Sequence, residues 1–306
     1  MCSSLDLRRF LVSPGRKQIG LRGVVKSGPS VISELMAILS EHKIILRQAL
    51  LSCYGDSCEG GYANYGRVKG CENGKDEIKS NGSSMEYQEI LILAFLDITE
   101  ADISPDEIIA ELKSTGSFVK LDVIMPQVDG LIADTLSHPL KAGKDRIIIL
   151  REPGYRGLLT EIRKLFGSGG DALLYHTGFT TGIEFAKLHR EVAELVNLKE
   201  PEEIFKKVSA TMFQWAGFGK MHVKSLSQDH GEIEVQDSFE CELGRGRVTA
   251  YSQFVRGIIA GILAELFGKG FNIVEGGCIA KGDPVCRFVV KTMPLLAERS
   301  SASQKH

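Results

Sequence analysis

The chain has 306 residues, 43% hydrophobic and 25% charged, with a formal net charge of −2. That is ordinary globular composition with enough apolar content for a sizeable core, and its length suits about two domains. Acidic and basic residues are interspersed, so there is no basic stripe of the kind that draws nucleic acid by counterion release. Nor is there an apolar run of bilayer-spanning length, or an apolar segment behind the early arginines such as a signal peptide requires. The seven cysteines, an odd number, suit a reducing compartment, where thiols pack, bind metal or respond to redox state. A cytoplasmic protein without a direct membrane or nucleic-acid partner is expected.

From Lys17 to about Pro126 the pattern predicts strand, helix, strand, strand, helix, strand. Ile19 and Leu21 alternate with small or polar neighbours. Pro29 then suits a first helical position, and Val31, Ile32, Leu35, Met36 and Leu39 recur at helical spacing. Ile44 to Leu51 form a second strand, and the nearly unbroken apolar run from Ile90 to Leu96 a third, doubly covered one. Ser104, Pro105 and Glu107 compose a capping box before a helix carrying Ile108, Ile109 and Leu112, which Gly116 can end. Val119, Leu121 and Val123 alternate as the last strand. This βαββαβ order resembles the ferredoxin-like fold of ACT regulatory domains, which implies binding of a small effector at a subunit interface. The resemblance is one of topology and assigns residues 1–130 to such a domain. Within it, residues 56–85 read as a Gly, Asn, Ser and Lys rich insertion. Cys53, Cys58 and Cys71 fall in or beside that insertion, either as a metal or redox cluster or as incidental thiols.

Asp129 to Lys144 reads as a linker, and Arg146-Ile-Ile-Ile-Leu150 as a short buried strand that opens a second domain. A helix follows with Leu158, Leu159, Ile162, Leu165 and Phe166 on one face, ending at Gly167. The next helix is capped by Asp171 and has Gly178 and Gly182 four residues apart, which lets another backbone come close. A third helix runs from Pro201 towards Trp215. Two strands then span about 220–227 and 231–241, and a long apolar helix runs from about Val248 to Phe267, stopped by Gly268. The segment after Met293 is a frayed tail.

Five stretches of this half fall in a recognisable order: Arg146-Ile-Ile-Ile-Leu150, Tyr175-His-Thr-Gly-Phe-Thr-Thr-Gly182, Asp237-Ser-Phe-Glu240, Gly257-Ile-Ile-Ala-Gly261, and Glu275-Gly-Gly-Cys278 with Cys286-Arg-Phe288. Together they resemble the 4-vinyl reductase domain family over roughly residues 140–291. The resemblance implies a mixed α/β domain with an internal apolar pocket, frequent dimerisation and, in its sensor members, a structural zinc on one Glu and three Cys. Glu275, Cys278 and Cys286 match three of those positions; the fourth is Ser252, a poor zinc ligand beside a thiolate. Either Cys241 or water substitutes, or the site is empty. The pocket is expected to draw on Tyr175, His176, Phe179, Phe213, Trp215, Tyr251 and Phe254.

The whole chain is therefore expected to be α+β, an ACT-like domain followed by a 4-vinyl reductase-type domain. The function expected is sensing of an apolar or aromatic small molecule, a tetrapyrrole among the candidates, by a homodimer that acts through a regulatory protein partner. Zinc or redox-responsive cysteines belong to that expectation. An auxiliary enzyme of tetrapyrrole metabolism and an assembly scaffold are the alternatives. Against the enzyme, the sequence has no dinucleotide fingerprint, nucleophile elbow or catalytic carboxylate pair.

Overall fold

The computed structural model describes residues 6–26, 31–54 and 89–293. Pro29, Cys58, Cys71, the expected insertion and the tail beyond Met293 lie outside them, as does the side chain of Cys53. The chain divides into two compact units between Ile148 and Ile149.

The first unit is built on four antiparallel strands: β2 (Gln18–Lys26), β3 (Ile45–Tyr54), β4 (Glu89–Asp97) and β5 (Phe118–Ile124). Their order across the sheet is β3-β4-β2-β5. Helices α1 (Val31–Glu41) and α2 (Pro105–Ser114) bury Leu35, Leu39, Ile108 and Leu112 against Ile19, Leu21 and Leu96. The capping box at α2 forms: the Ser104 hydroxyl accepts from the Glu107 backbone N–H, and the Glu107 carboxylate accepts from that of Ser104. Central β4 is sealed on both sides, with Ala94, Phe95 and Leu96 fully buried.

The opposite face of this sheet packs Leu93, Phe95 and Ile124 against Ile132. Ile132 belongs to β6 (Leu131–Ala133), which pairs with β1 (Phe10–Val12). The stretch expected as a free linker from Asp129 is thus folded into the first unit, because one apolar residue in it completes a core. The buried strand expected at 146–150 does not form. β7 (Lys141–Ala142) pairs only with β8 (Asp145–Arg146), and Ile148, Ile149 and Leu150 are exposed. An apolar run becomes a strand only where a neighbour takes up its backbone hydrogen bonds.

The second unit opens with helices α3 (Glu152–Phe166) and α4 (Ser168–Leu195). Only Leu159 of the expected α3 face is buried; Leu158, Leu165 and Phe166 are exposed. Asp171 lies in the first turn of α4, where it pairs with Arg163 instead of capping. The helix expected after Pro201 is continuous but not uniform. A short α5 (Pro201–Glu203) passes into a π-helical turn at Ile204–Ser209 and then α6 (Ala210–Trp215).

A four-stranded antiparallel sheet follows, in the order β11-β12-β10-β9, from β9 (Lys220–Leu226), β10 (His230–Gln236), β11 (Phe271–Gly277) and β12 (Cys286–Thr292). β10 stops before Asp237, whose φ of 52° turns the chain out of the strand. Cys241 accordingly lies not at a strand end but on a short helix, α7 (Phe239–Leu243).

The long helix α8 (Gln253–Phe267) crosses α4 with backbone against backbone. A methyl group added at Gly178 or Gly182 would run into the carbonyl oxygens of Phe254 or Ile258, and one at Gly257 or Gly261 into those of Tyr175 or Phe179. Four glycines, two from each helix, are what permits this approach. α8 is almost wholly buried and ends at Gly268 in the left-handed conformation.

Candidate functional site

α7, the turn after β11 and the start of β12 bring together the thiols of Cys241, Cys278 and Cys286 with the carboxylate of Glu275; all four donor atoms lie within 4.8 Å of one another. The three thiols are free and fully buried. Cys241 Sγ lies 3.6 Å from Cys278 Sγ. Tetrahedral metal–sulfur bonds of about 2.3 Å would put two sulfurs about 3.8 Å apart, so the spacing suits a single ion. The hairpin supports the sulfurs through its backbone: the Ile279 N–H reaches Cys286 Sγ at 3.5 Å, and the Cys278 N–H donates to the Asp283 carboxylate at 2.7 Å. Ser252, at the position the zinc-binding relatives give to Cys, donates its hydroxyl to Glu275 Oε2. Glu275 Oε1 is buried without a partner. One carboxylate oxygen is therefore held and the other is available.

Protonation in this cluster is shared. The contacts from Cys241 and then Cys286 favour a thiolate at Cys278 and hold its pKa well below the thiol range. The same contacts, first with Cys278, push Cys241 far up. For Cys286 the Cys241 contact pulls down, but Cys278 and burial push it up to about 12. Burial pushes the Glu275 carboxyl up to about 8, against the hydrogen bond from Ser252. A soft divalent cation would replace these protons; zinc fits a donor set of three sulfurs and one oxygen.

The residue before Cys241 anchors the other side. Glu240 is fully buried and accepts from the backbone N–H groups of Phe254 (3.0 Å) and Val255 (2.8 Å) in the first turn of α8. It thereby caps α8 in place of Ser252, whose hydroxyl is drawn to Glu275. Glu240 also pairs with Arg163 of α3 at 2.5 Å. Burial pushes the Glu240 carboxyl up, against the pull of Arg163 and the two N–H groups.

Beside this centre lies a connected set of rings. Phe239 touches Tyr155 (centroids 5.4 Å apart), Phe254 (6.3 Å) and Phe218 (5.3 Å). Phe218 in turn meets Phe213 (5.3 Å) and Phe185 (6.0 Å), and Phe185 meets His189 (6.3 Å). His189 is 6% exposed, and its Nδ1 has no partner. Burial lowers its pKa to about 4, so it is neutral at pH 7. The hydroxyls of Ser209, on the π-helical turn, and Ser238 are also buried and unpartnered.

Of the seven residues expected in the pocket, Phe213 and Phe254 join these rings. Tyr175 and Phe179 pack at the edge of the same core, with Arg256 over the Tyr175 ring at 5.0 Å. Tyr251 is buried, but its ring lies under Arg163. His176 and Trp215 are corrected: both are exposed, Trp215 at 67%. His176 lies off the α4 face that meets α8, and Trp215 is the last residue of α6, where Ala216 and Gly217 turn the chain away. Tyr155, Phe185, His189, Phe218 and Phe239 were missed. The spacing of Phe185 and His189, one helical turn apart, was the available signal.

A second donor group, Glu41, His42 and Glu111, lies in the first unit. Both ring nitrogens of His42 are already engaged there, by Asp102 at 3.0 Å and Glu111 at 2.9 Å, which makes the group an ion-paired clasp between α1 and α2.

Comparison with known proteins adds the family. Residues 232–292 match the model of the vinyl-4-reductase domain. The protein MJ0150 of Methanocaldococcus jannaschii is 30% identical over 125 residues, 41% of this chain and 66% of that relative, just under two thirds of its length. Among solved structures, the phenol-responsive sensory domain of the transcription activator PoxR is 20% identical, with a TM-score of 0.46. The match covers 53% of this chain and 85% of that one. A vinyl-4-reductase family protein from Methanocaldococcus jannaschii is 22% identical, with a TM-score of 0.35, covering 48% and 84%. The C-terminal unit, with β10, α7, α8 and the Cys-bearing hairpin, carries a vinyl-4-reductase domain.

Proposed function

We propose that the chain is a ligand-sensing regulatory protein. Its second unit takes an apolar or aromatic small molecule against the rings around Phe218 and Phe239, and holds a structural zinc on Cys241, Glu275, Cys278 and Cys286. The observation that carries the reading is the run of rings that ends on His189, a buried side chain with a free Nδ1. Small-molecule sites are apolar with a few convergent polar atoms, whereas buried polar atoms elsewhere are nearly always bonded. The ligand class that fits is a flat apolar molecule with one hydrogen-bonding edge, a tetrapyrrole among the candidates.

We read the first unit as a ferredoxin-like, ACT-type regulatory domain. Support comes from its βαββαβ order and from the sheet order of second, third, first and fourth of those strands. A homodimer acting on a regulatory protein partner in the cytoplasm completes the proposal.

Native mass spectrometry of the full chain purified without chelator tests both parts: one zinc per chain and retention of a small molecule are expected. Titration with phenols, polycyclic aromatics and haem, the last followed in the Soret region, then identifies the class. Flat isotherms for all three would remove the sensor reading, and Phe218→Ala should weaken whichever ligand binds. A chain without metal at saturating zinc would remove the metal.

A further inference from the structure

Arg163 is the residue through which the second unit's first helix meets the thiol and carboxylate centre. Its guanidinium makes four hydrogen bonds from within α3. Nε donates to Asp171 at 3.0 Å, NH1 to the Leu159 carbonyl at 3.2 Å, and NH2 to Glu240 at 2.5 Å and the Tyr251 carbonyl at 2.9 Å. The guanidinium also lies 3.8 Å from the centre of the Tyr251 ring. Both of its distal partners are bonded to the centre's own machinery. Glu240 precedes Cys241 in the chain and caps α8. Tyr251 precedes Ser252, which holds Glu275, and its backbone N–H supports the Cys278 sulfur.

We propose that Arg163 is a positioning residue for the metal centre and that through it α3 responds to metal occupancy. The proposal rests on the zinc reading above. With metal present, Cys241 and Cys278 are pinned to one ion. Glu240 and Tyr251 are then fixed, and the Arg163 fork has both acceptors at one geometry. Without metal, the two segments are free to separate, and a planar fork bonded to both cannot follow both. Apart from Leu159, little of α3's apolar surface is buried in the described chain, so Arg163 contributes a large share of its attachment. α3 begins three residues after the junction between the two units, which makes it the element by which the first unit can register the state of the second.

The test is hydrogen exchange of peptides from 152–166 in the full chain, with one equivalent of zinc and again after chelation, with metal content measured in parallel. Removing metal should accelerate exchange in α3 roughly tenfold, an opening cost of about 1.4 kcal/mol. Arg163→Met alone would strand the buried Glu240 charge, so the informative variant is Arg163→Met with Glu240→Gln. It should still bind one metal but lose the metal dependence of α3 exchange. Its cobalt-substituted form should show shifted thiolate-to-metal bands, whereas Arg163→Lys should give an intermediate shift. A wild-type chain that holds one metal while α3 exchanges at the same rate with and without it overturns the coupling alone. Wild-type-like behaviour of the double variant does the same. A chain that holds no metal overturns the zinc reading and this coupling together.

Discussion

The Ser252 hydroxyl is bonded to the carboxylate of Glu275, not to the helix that it begins. Ser252 stands where related zinc-binding domains carry Cys, and the thiol that converges on the cluster comes instead from Cys241, eleven residues earlier. The serine's contribution is then to hold Oε2 and leave Oε1 for the metal. Ser252→Ala should weaken zinc binding roughly 10-fold, within the range seen when partners of metal ligands are removed. Competition against a chromophoric chelator measures this, and an unchanged affinity would mean that Ser252 only fills space.

The crossing of α4 and α8 gives a paired prediction. Gly182→Ala gains about 1 kcal/mol of helix propensity. Against that, it drives a methyl into the Ile258 carbonyl, a backbone atom that cannot rotate away. Overpacking of this kind costs about 1–3 kcal/mol or more, so a net loss of about 1 kcal/mol or more is expected in urea unfolding. Gly157→Ala on α3, where nothing lies within 4 Å of the added methyl, should instead gain about 0.5–1 kcal/mol. Equal effects from the two substitutions would contradict the packing described.

His189 sets a pH dependence. It titrates at about 4 when folded and regains its ordinary value of 6.5 when unfolded, so between these values the unfolded chain binds the extra proton. Stability should therefore fall as pH drops from 6.5 towards 4, by about 2–3 kcal/mol at the lower end. His189→Leu should flatten that part of the profile. Parallel pH profiles for the variant and the wild type would show that the ring is not buried as described.

In the first unit, Gln18 is 3% exposed, and neither end of its amide finds a partner. Burying an unbonded amide costs about 1–3 kcal/mol, while an apolar side chain of the same shape avoids the cost. Gln18→Met should raise the thermal midpoint of the full chain. A lower midpoint would reveal that the amide is satisfied in solution.

How much of this could be read from the residues alone varies with the kind of signal. The strands and helices of the first unit were legible because Ile19, Leu21, Ile108 and Leu112 follow strict periods and Ser104 and Glu107 form a cap, all local features. Gly178 and Gly182 announced a close helix approach, although the partner pair, Gly257 and Gly261, lies far along the chain. The error at 146–150 arose because an apolar run does not say whether a neighbouring strand exists. The centre was half legible: Glu275, Cys278 and Cys286 belong to one hairpin, but the place of Cys241 depends on the turn at Asp237. Arg163 carried no pattern, since its partners Glu240 and Tyr251 are distant in the chain and meet it only in the folded unit.

The glycine crossing also has a mechanical meaning. Where two helices touch through side chains, rotamer changes can absorb a small displacement of either one. At Gly178, Gly182, Gly257 and Gly261 there are no side chains to give way, so α4 and α8 are stiffly joined and turn as one lever. The start of α8 is held by Glu240 beside Cys241, and the far half of α4 bears His189 among the rings. A tilt imposed at the thiol centre therefore arrives at the aromatic interior undamped, and one imposed there returns along the same lever.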